Sequence, residues 1–445
     1  RRFTQIFADK IKKSAFISVH LRPKEHVSTL CLGMAEQLLS RFTQMPESKL
    51  RRAHPDYILM LAVAGLVIIG LMMVYSATFD WSYQKYGSSF RIASRQFLWV
   101  GLGLIALMVM AGIPYDWWQR VAVPVMGVAL LLLVLVLFVG DERFGARRSF
   151  FGGSVQPGEL AKLATAIYVA AWLASKGDQI RDVTYGLVPF AILIGMVAGL
   201  IVMQPDISTA VLIVLTALAM FFFAGADIFQ LAIGGIVSGI TFLVLINQLP
   251  YARQRIDEYL QIWRDPTRVG YHIQQALIAL GSGGLFGVGL GQGQEKLGYL
   301  PAAHTDSIFA VLGEELGFVG CLVVVGLFVL LAYRGFKIAL EASEPFAALL
   351  ACGITCWLTF QALINVAVMT GLLPFTGIAL PFISSGGSAM VVSLAGVGLL
   401  LSVSRGRRVG KQVRKGERRR AHLDRRWGNR GTRLSRSGRR AGAGR

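Results

Sequence analysis

Ten blocks of apolar residues divide this chain, at 57–76, 96–112, 118–140, 159–175, 184–203, 207–224, 228–247, 307–333, 345–370 and 388–404. Crossing the hydrocarbon core of a bilayer takes a helix of about 20 residues, and the blocks match that length. A mean hydropathy of +0.56 with 54% hydrophobic residues lies well outside soluble composition. The expected fold class is therefore an all-α integral membrane protein with ten transmembrane helices and a large exported loop between helices 7 and 8. An even count puts both termini on one side. Lys and Arg choose that side: residues 1–56 carry 11 of them and residues 405–445 carry 17, so both termini are expected to be cytoplasmic.

Three regions follow: a basic cytoplasmic arm (1–56), a membrane domain (57–404) and an Arg-rich cytoplasmic tail (405–445). The net charge of +20 belongs to the two ends rather than to the membrane domain. A tail such as Arg425-Arg-Trp-Gly-Asn-Arg-Gly-Thr-Arg buries too little apolar area to fold, and beside an anionic leaflet it is expected to bind anionic lipids. Nucleic acid is not an expected partner. Residues 1–56 lack the apolar core of a cleavable signal peptide, so the first span is expected to act as the anchor. None of the four cysteines (Cys31, Cys321, Cys352, Cys356) falls in an exported loop, and no disulfide framework is expected.

The exported segment 248–305 is far longer than a connection requires. Its first part repeats Ala252, Ile256, Tyr259, Leu260 and Trp263 at helical spacing around Arg253, Arg255, Asp257 and Glu258, which predicts a short helix in the headgroup plane or packed on the bundle. Its second part, Gly281 to Gly293, is glycine-rich but lacks the Lys-Ser/Thr of a nucleotide loop and any preceding strand. Glycines at this density instead allow close backbone packing. The loop 141–158 leads into a helix predicted to start at Pro157, where Glu159 and Lys162 share a face. Either the two neutralise each other, or Arg148 and Lys162 present positive charge to an anionic headgroup. The loop 373–388, with Ser384, Ser385, Ser388 and three glycines, cannot be a regular helix and is expected to line a polar cavity.

The densest concentration of acids lies in Gly298 to Gly320. Ionisable side chains at membrane depth cost roughly 2.5–3.5 kcal/mol each even on insertion scales, so they need a role. With a helix starting near Asp306, Glu314 and Glu315 fall deeper and on different faces. Asp306, beside His304 and Thr305, is the accessible acid. Spacing alone leaves it a plain helix cap or a reactant; Glu314 and Glu315 are expected to couple helices.

At these residues the chain resembles the shape, elongation, division and sporulation family of membrane glycosyltransferases. The resemblance covers 57–404. It rests on Tyr75-Ser-Ala77, Arg148 with Gln156-Pro-Gly-Glu159-Leu-Ala-Lys162, Gln274 to Gly284, Leu300-Pro301 through His304-Thr-Asp306, Gly313-Glu-Glu-Leu-Gly317, Gln361 with Asn365, and Leu380-Pro-Phe-Ile-Ser384 followed by Gly386-Gly387-Ser388. The run Gln294 to Pro301 is similar to the division branch. The chain departs from the pattern at Ser149 (usually Trp), Ser385 (usually Tyr), Ala302 (usually Glu) and Ser307 (usually Phe).

The resemblance implies polymerisation of lipid II into peptidoglycan glycan strands at the outer face of the bacterial cytoplasmic membrane, at the division septum. It implies Asp306 as catalytic base. It also implies a substrate-binding set of Arg148, Lys162, Glu159, Gln156, His304, Thr305, Arg255, Ser384, Gly386, Gly387, Ser388 and Asn365. No cofactor is required by this reading, although a divalent cation is compatible with the diphosphate. The implied partners are lipid II, the nascent strand, a class B penicillin-binding protein and other division proteins. A lipid II flippase and a division-site scaffold are the competing readings.

Overall fold

The computed structural model describes residues 56–143, 146–150, 153–264 and 270–405; the expected basic arm and most of the expected tail lie outside these. The chain is a helical membrane protein. Its helices are α1 (Tyr57–Tyr86), α2 (Arg91–Gly112), α3 (Tyr115–Arg120), α4 (Ala122–Val139), α5 (Pro157–Lys176), α6 (Val188–Val202), α7 (Ile207–Phe223), α8 (Ile228–Gln248), α9 (Pro250–Arg264), α10 (Tyr271–Ser282), α11 (Ile308–Glu341) and α12 (Pro345–Met369). A last helix, α13, spans Gly387–Arg405. Helices occupy all ten expected blocks, and among the described residues eight are long and apolar enough to cross a membrane. Of the other two, α7 is apolar but only 17 residues long, and α5 carries Glu159, Lys162 and Lys176.

Three elements differ from expectation, each for a local reason. Helix α1 continues to Tyr86, past the apolar block, until Gly87 closes it at φ 69°. This extension carries Trp81 onto the His304 ring. The loop 141–158 contains an antiparallel hairpin of β1 (Asp141–Arg143) and β2 (Ala146–Ser149), which sets the position of Arg148. Helix α11 starts at Ile308 rather than at Asp306 and is broken at Gly317, where φ is 69° and ψ −169°.

The break explains the glycine-rich segment. A non-helical residue inside a span strands backbone groups that lipid cannot satisfy. Here the loop after α10 supplies partners on both sides: Val288 N and Gly289 N donate to the Glu314 and Glu315 carbonyls, and Phe318 N and Val319 N donate to the Gly284 and Leu285 carbonyls. Such close approach leaves no room for side chains. A Cβ on Gly287 would lie 2.1 Å from the Glu315 carbonyl oxygen, and one on Gly283 1.9 Å from that of Gly313.

The core centres on α12 and α13, the most enclosed spans. Helix α12 packs against α5, α7 and α11, while α11 packs against α1 and α10. At the start of α1, Asp56 both caps the helix through Leu59 N and pairs with Arg334 of α11.

Candidate active site

Asp306 ends a tight turn, Pro301–Asp306, that delivers the chain to α11. Within it Thr305 N and Ser307 N donate to the Ala302 carbonyl, and Ala302 adopts φ 52°, a conformation costly outside glycine. The N-cap position of α11 is Ser307, which makes no side-chain cap. Asp306 is therefore not the helix cap that spacing allowed. Among the described residues its carboxylate makes no hydrogen bond or ion pair, and Oδ2 lies 3.2 Å from where a Cβ on Gly377 would be. Its own carbonyl is held at 2.8 Å by Asn365 Nδ2, which also donates to the Ile378 carbonyl at 2.7 Å. Asn365 thus pins the Asp306 turn to the loop before α13.

Burial pushes the Asp306 carboxyl up from 3.8 to about 7, against the downward pull of Arg148; Asp206 adds to the rise and Arg255 opposes it. These charges come from three separate places. Arg148 sits on β2, Asp206 precedes α7 and caps it through Thr209, and Arg255 rides on α9 over the Phe375 ring at 5.1 Å. Arg148 and Arg255 make no hydrogen bond or ion pair to another described side chain, so their charge is available to an anionic ligand.

Lys162, expected beside Arg148, is placed differently. Its side chain is 3% exposed, 2.7 Å from Glu159 Oε1 and 2.9 Å from Gln361 Oε1. Trp357 Nε1 donates to the same Gln361 oxygen, and Gln361 Nε2 donates to the Ala379 carbonyl. The pair therefore braces the back of the loop 373–388 rather than facing outward.

Most of the remaining expected substrate residues are fasteners of the same loops. Ser388 Oγ accepts from Gln156 N and donates to the Ser154 carbonyl, joining the segment after the hairpin to the start of α13. Ser384 Oγ accepts from Leu380 N, and Gly386 O accepts from Met390 N. Gly387 lies against the Trp99 ring, where a Cβ would approach to 2.4 Å. The His304 carbonyl accepts from Ser385 N, its ring stacks on Trp81 at 5.3 Å, and burial lowers its imidazole. Thr305 Oγ1 turns back to the Ala302 carbonyl.

Glu314 and Glu315 also hold structure together. Glu314 Oε1 accepts from Gln294 N and Glu295 N of the loop between α10 and α11. Glu315 accepts from Ser76 Oγ on α1 and from Lys296 Nζ. Sequence reasoning did not single out Asp206, His272, Lys296 or Gln361 as site residues. Gln361 lay in a recognised motif and Lys296 in the Gln294–Pro301 run, whereas nothing local marked Asp206 or His272. Among the described residues no group of three or more His, Cys, Asp or Glu side chains is arranged to hold a metal ion.

A multi-span membrane fold thus carries, at the head of a broken helix, an acid that makes no hydrogen bond among the described residues and feels the charges of Arg148 and Arg255. Residues 57–409 match the family described as cell cycle protein, comprising FtsW, RodA and SpoVE. Stage V sporulation protein E of Bacillus subtilis (strain 168) is 42% identical over 360 residues, covering 80% of this chain and 98% of that protein. A probable peptidoglycan glycosyltransferase FtsW of Trichlorobacter lovleyi is 39% identical over 360 residues, covering 80% and 94%. Among solved structures, a chain of a peptidoglycan synthase complex that coordinates polymerization and crosslinking aligns with TM-score 0.65 and 31% identity over 79% of this chain and 98% of its own. The rod shape determining protein RodA of Thermus thermophilus aligns with TM-score 0.59 and 32% identity, covering 79% and 97%. This chain belongs to the FtsW/RodA/SpoVE family.

Proposed function

We infer that this protein polymerises peptidoglycan glycan strands from lipid II. It is a peptidoglycan glycosyltransferase of the bacterial inner membrane, acting in cell division. The observation that carries the site assignment is the Asp306 carboxylate, free of hydrogen bonds and raised to about 7 between Arg148 and Arg255.

In the proposed mechanism Asp306 takes the proton from the 4-hydroxyl of the acceptor sugar as that oxygen attacks the anomeric carbon of the lipid-linked donor. The bond from that carbon to the diphosphate breaks with inversion, and undecaprenyl diphosphate departs with the electron pair. A carboxyl near 7 is a far better base at neutral pH than one at 3.8, yet remains half or more ionised. In this reading Arg148 and Arg255 hold the diphosphate, whose charge grows as the bond breaks. Asn365, Gln156, Ser384, Gly386, Gly387, Ser388, His304 and Thr305 act by fixing the loops that present these three groups. Lys162 and Glu159 support the same loops from behind.

The ten-span topology with both termini cytoplasmic belongs to this reading, because it sets Asp306 and Arg148 at the outer face where lipid II is used. An alkaline phosphatase fused after residue 405 should be inactive and one fused within 265–269 active; the reverse would overturn that topology. The protein works with a crosslinking penicillin-binding protein. We place a single-span class B partner along 248–305 and the outer ends of α11 and α12, so a photocrosslinker at the exposed Leu260 should capture it. Capture of lipid alone would argue against that surface.

The central test is Asp306→Asn in the purified protein with lipid II. It keeps the side chain's size and removes its basicity. Positioned bases contribute roughly 10²- to 10⁴-fold, so glycan strands should fall below detection while the protein stays folded. Strand synthesis at near wild-type rate would remove Asp306 from the role of base.

A further inference from the structure

Beside the Asp306 turn, one hydrogen-bond state is dictated by its geometry. His272, the second residue of α10, places Nε2 2.7 Å from Ser307 Oγ, and the same hydroxyl lies 2.9 Å from the Pro301 carbonyl oxygen. A carbonyl only accepts, so the single Ser307 proton goes to Pro301. The Ser307 lone pair must then receive a proton from Nε2, and the ring is the Nε2–H form. Its face packs against Phe375, with ring centroids 3.9 Å apart. Burial first, and then Arg255, lowers the imidazole to about 4, which keeps this donor neutral at physiological pH.

Ser307 occupies the N-cap position of α11, where a serine hydroxyl ordinarily accepts from the helix's own backbone, yet it makes no such bond. It is turned to the Pro301 carbonyl and to His272 instead. The turn it closes is strained at Ala302, and strain of this kind persists only where neighbours over-determine the conformation. Asp306 thus lies between two clamps. Asn365 holds its carbonyl from α12, and the His272–Ser307 pair holds the next residue from α10. Ser307 is also one of the positions where this chain departs from the pattern it otherwise resembles.

We propose that His272 is a positioning residue for the Asp306 base, donating from Nε2 to Ser307 Oγ to lock the Pro301–Ser307 turn and so aim the carboxylate at the acceptor hydroxyl. Because α10 belongs to the exported segment, the bond also ties the placement of that segment to the geometry of the base. The proposal rests on the reading of Asp306 given above.

The test is lipid II polymerisation by the full-length chain purified with its crosslinking partner, with folding followed by thermal unfolding. Misplacing a catalytic group by an ångström costs on the order of 100-fold, so a loosened turn is expected to lower kcat by about 10- to 100-fold with KM nearly unchanged. His272→Leu and Ser307→Ala should each show this loss, and the double variant should be no slower than either. His272→Gln, whose amide nitrogen reaches the place of Nε2, should recover most of the rate. Wild-type kcat in His272→Leu, a Gln variant as slow as the Leu variant, multiplicative losses in the double variant, or a rise in KM alone would each overturn the proposal. A lower melting temperature with normal kcat in the folded fraction would do the same. Asp306→Asn in the same assay separates the two readings: an active Asn variant defeats the assignment of the base, whereas an inactive one beside normal His272 variants defeats only the clamp.

Discussion

Lys296 Nζ lies 2.5 Å from Glu315 Oε1, and Ser76 Oγ donates to the same carboxylate, so the loop between α10 and α11, α11 and α1 meet at one buried charge pair. With side-chain exposures of 7% and 0%, neither charge has water to fall back on. Removing one partner of a buried pair costs about 3–5 kcal/mol, while replacing both by apolar groups recovers much of that. Lys296→Met and Glu315→Gln should each lower the melting temperature in detergent markedly, and Lys296→Met/Glu315→Leu should sit closer to wild type. Single variants that melt like wild type would mean the pair contributes nothing to the fold.

The glycine-rich loop makes a sharper steric prediction. Gly287 has φ 82°, and a Cβ there would meet the Glu315 carbonyl oxygen at 2.1 Å; Gly281 has open space around its Cβ position. Gly287→Ala combines backbone strain and overpacking of about 1–3 kcal/mol each and should expose the break at Gly317. Yield of folded protein should drop for Gly287→Ala and hold for Gly281→Ala. Equal yields would contradict the interlock.

Asp306 must be ionised to accept a proton, so polymerisation should fall toward tenfold per pH unit below about 7. Arg255→Ala removes a charge that pulls this carboxyl down, and its acid limb should move to higher pH. Stability runs the opposite way. The folded state holds the Asp306 proton more tightly than the unfolded chain, where the group titrates near 3.8, so stability is fullest below 3.8 and declines as pH rises to about 7. Asp306→Asn lacks that decline, and melting scans should find it more stable than wild type at pH 8, with the gap closing toward pH 4. An activity profile flat from pH 5 to 8 would count against the assignment.

Lys162→Ala leaves the Glu159 carboxylate buried without its cation, while Gln361 Oε1 keeps only the Trp357 donor, and a broken internal pair of this kind again costs about 3–5 kcal/mol. The expected result is a lower melting temperature, with Lys162→Met/Glu159→Gln milder than Lys162→Ala. Loss of lipid II turnover at unchanged stability would instead return Lys162 to direct contact with the diphosphate.

The helices were legible because their cause is local. An apolar run of spanning length has one way to satisfy its backbone in lipid, and Pro157 marks a start by its own allowed conformation. Asp306 stood out for a similar reason, being the accessible acid in an apolar setting, and Glu314 and Glu315 stood out as buried charges needing partners. The identity of those partners was not local. Ser76 is 239 residues from Glu315, and Gln361 is 199 residues from Lys162.

Whether Lys162 faced a ligand or its own neighbour depended on where α12 brought Gln361 and Trp357, and i, i+3 spacing was compatible with both outcomes. His272 carried no signal, since one histidine at a helix start has no meaning until Ser307 forgoes its cap and turns toward it. Spans and an accessible acid at the head of one of them are properties of short stretches of chain under the constraint of an apolar solvent, and the sequence by itself determined them; the break at Gly317 was not among them. Which charges are spent on each other and which remain free to act, Lys162 against Arg148 above all, was decided only by the tertiary structure, because a buried charge takes the nearest partner in space.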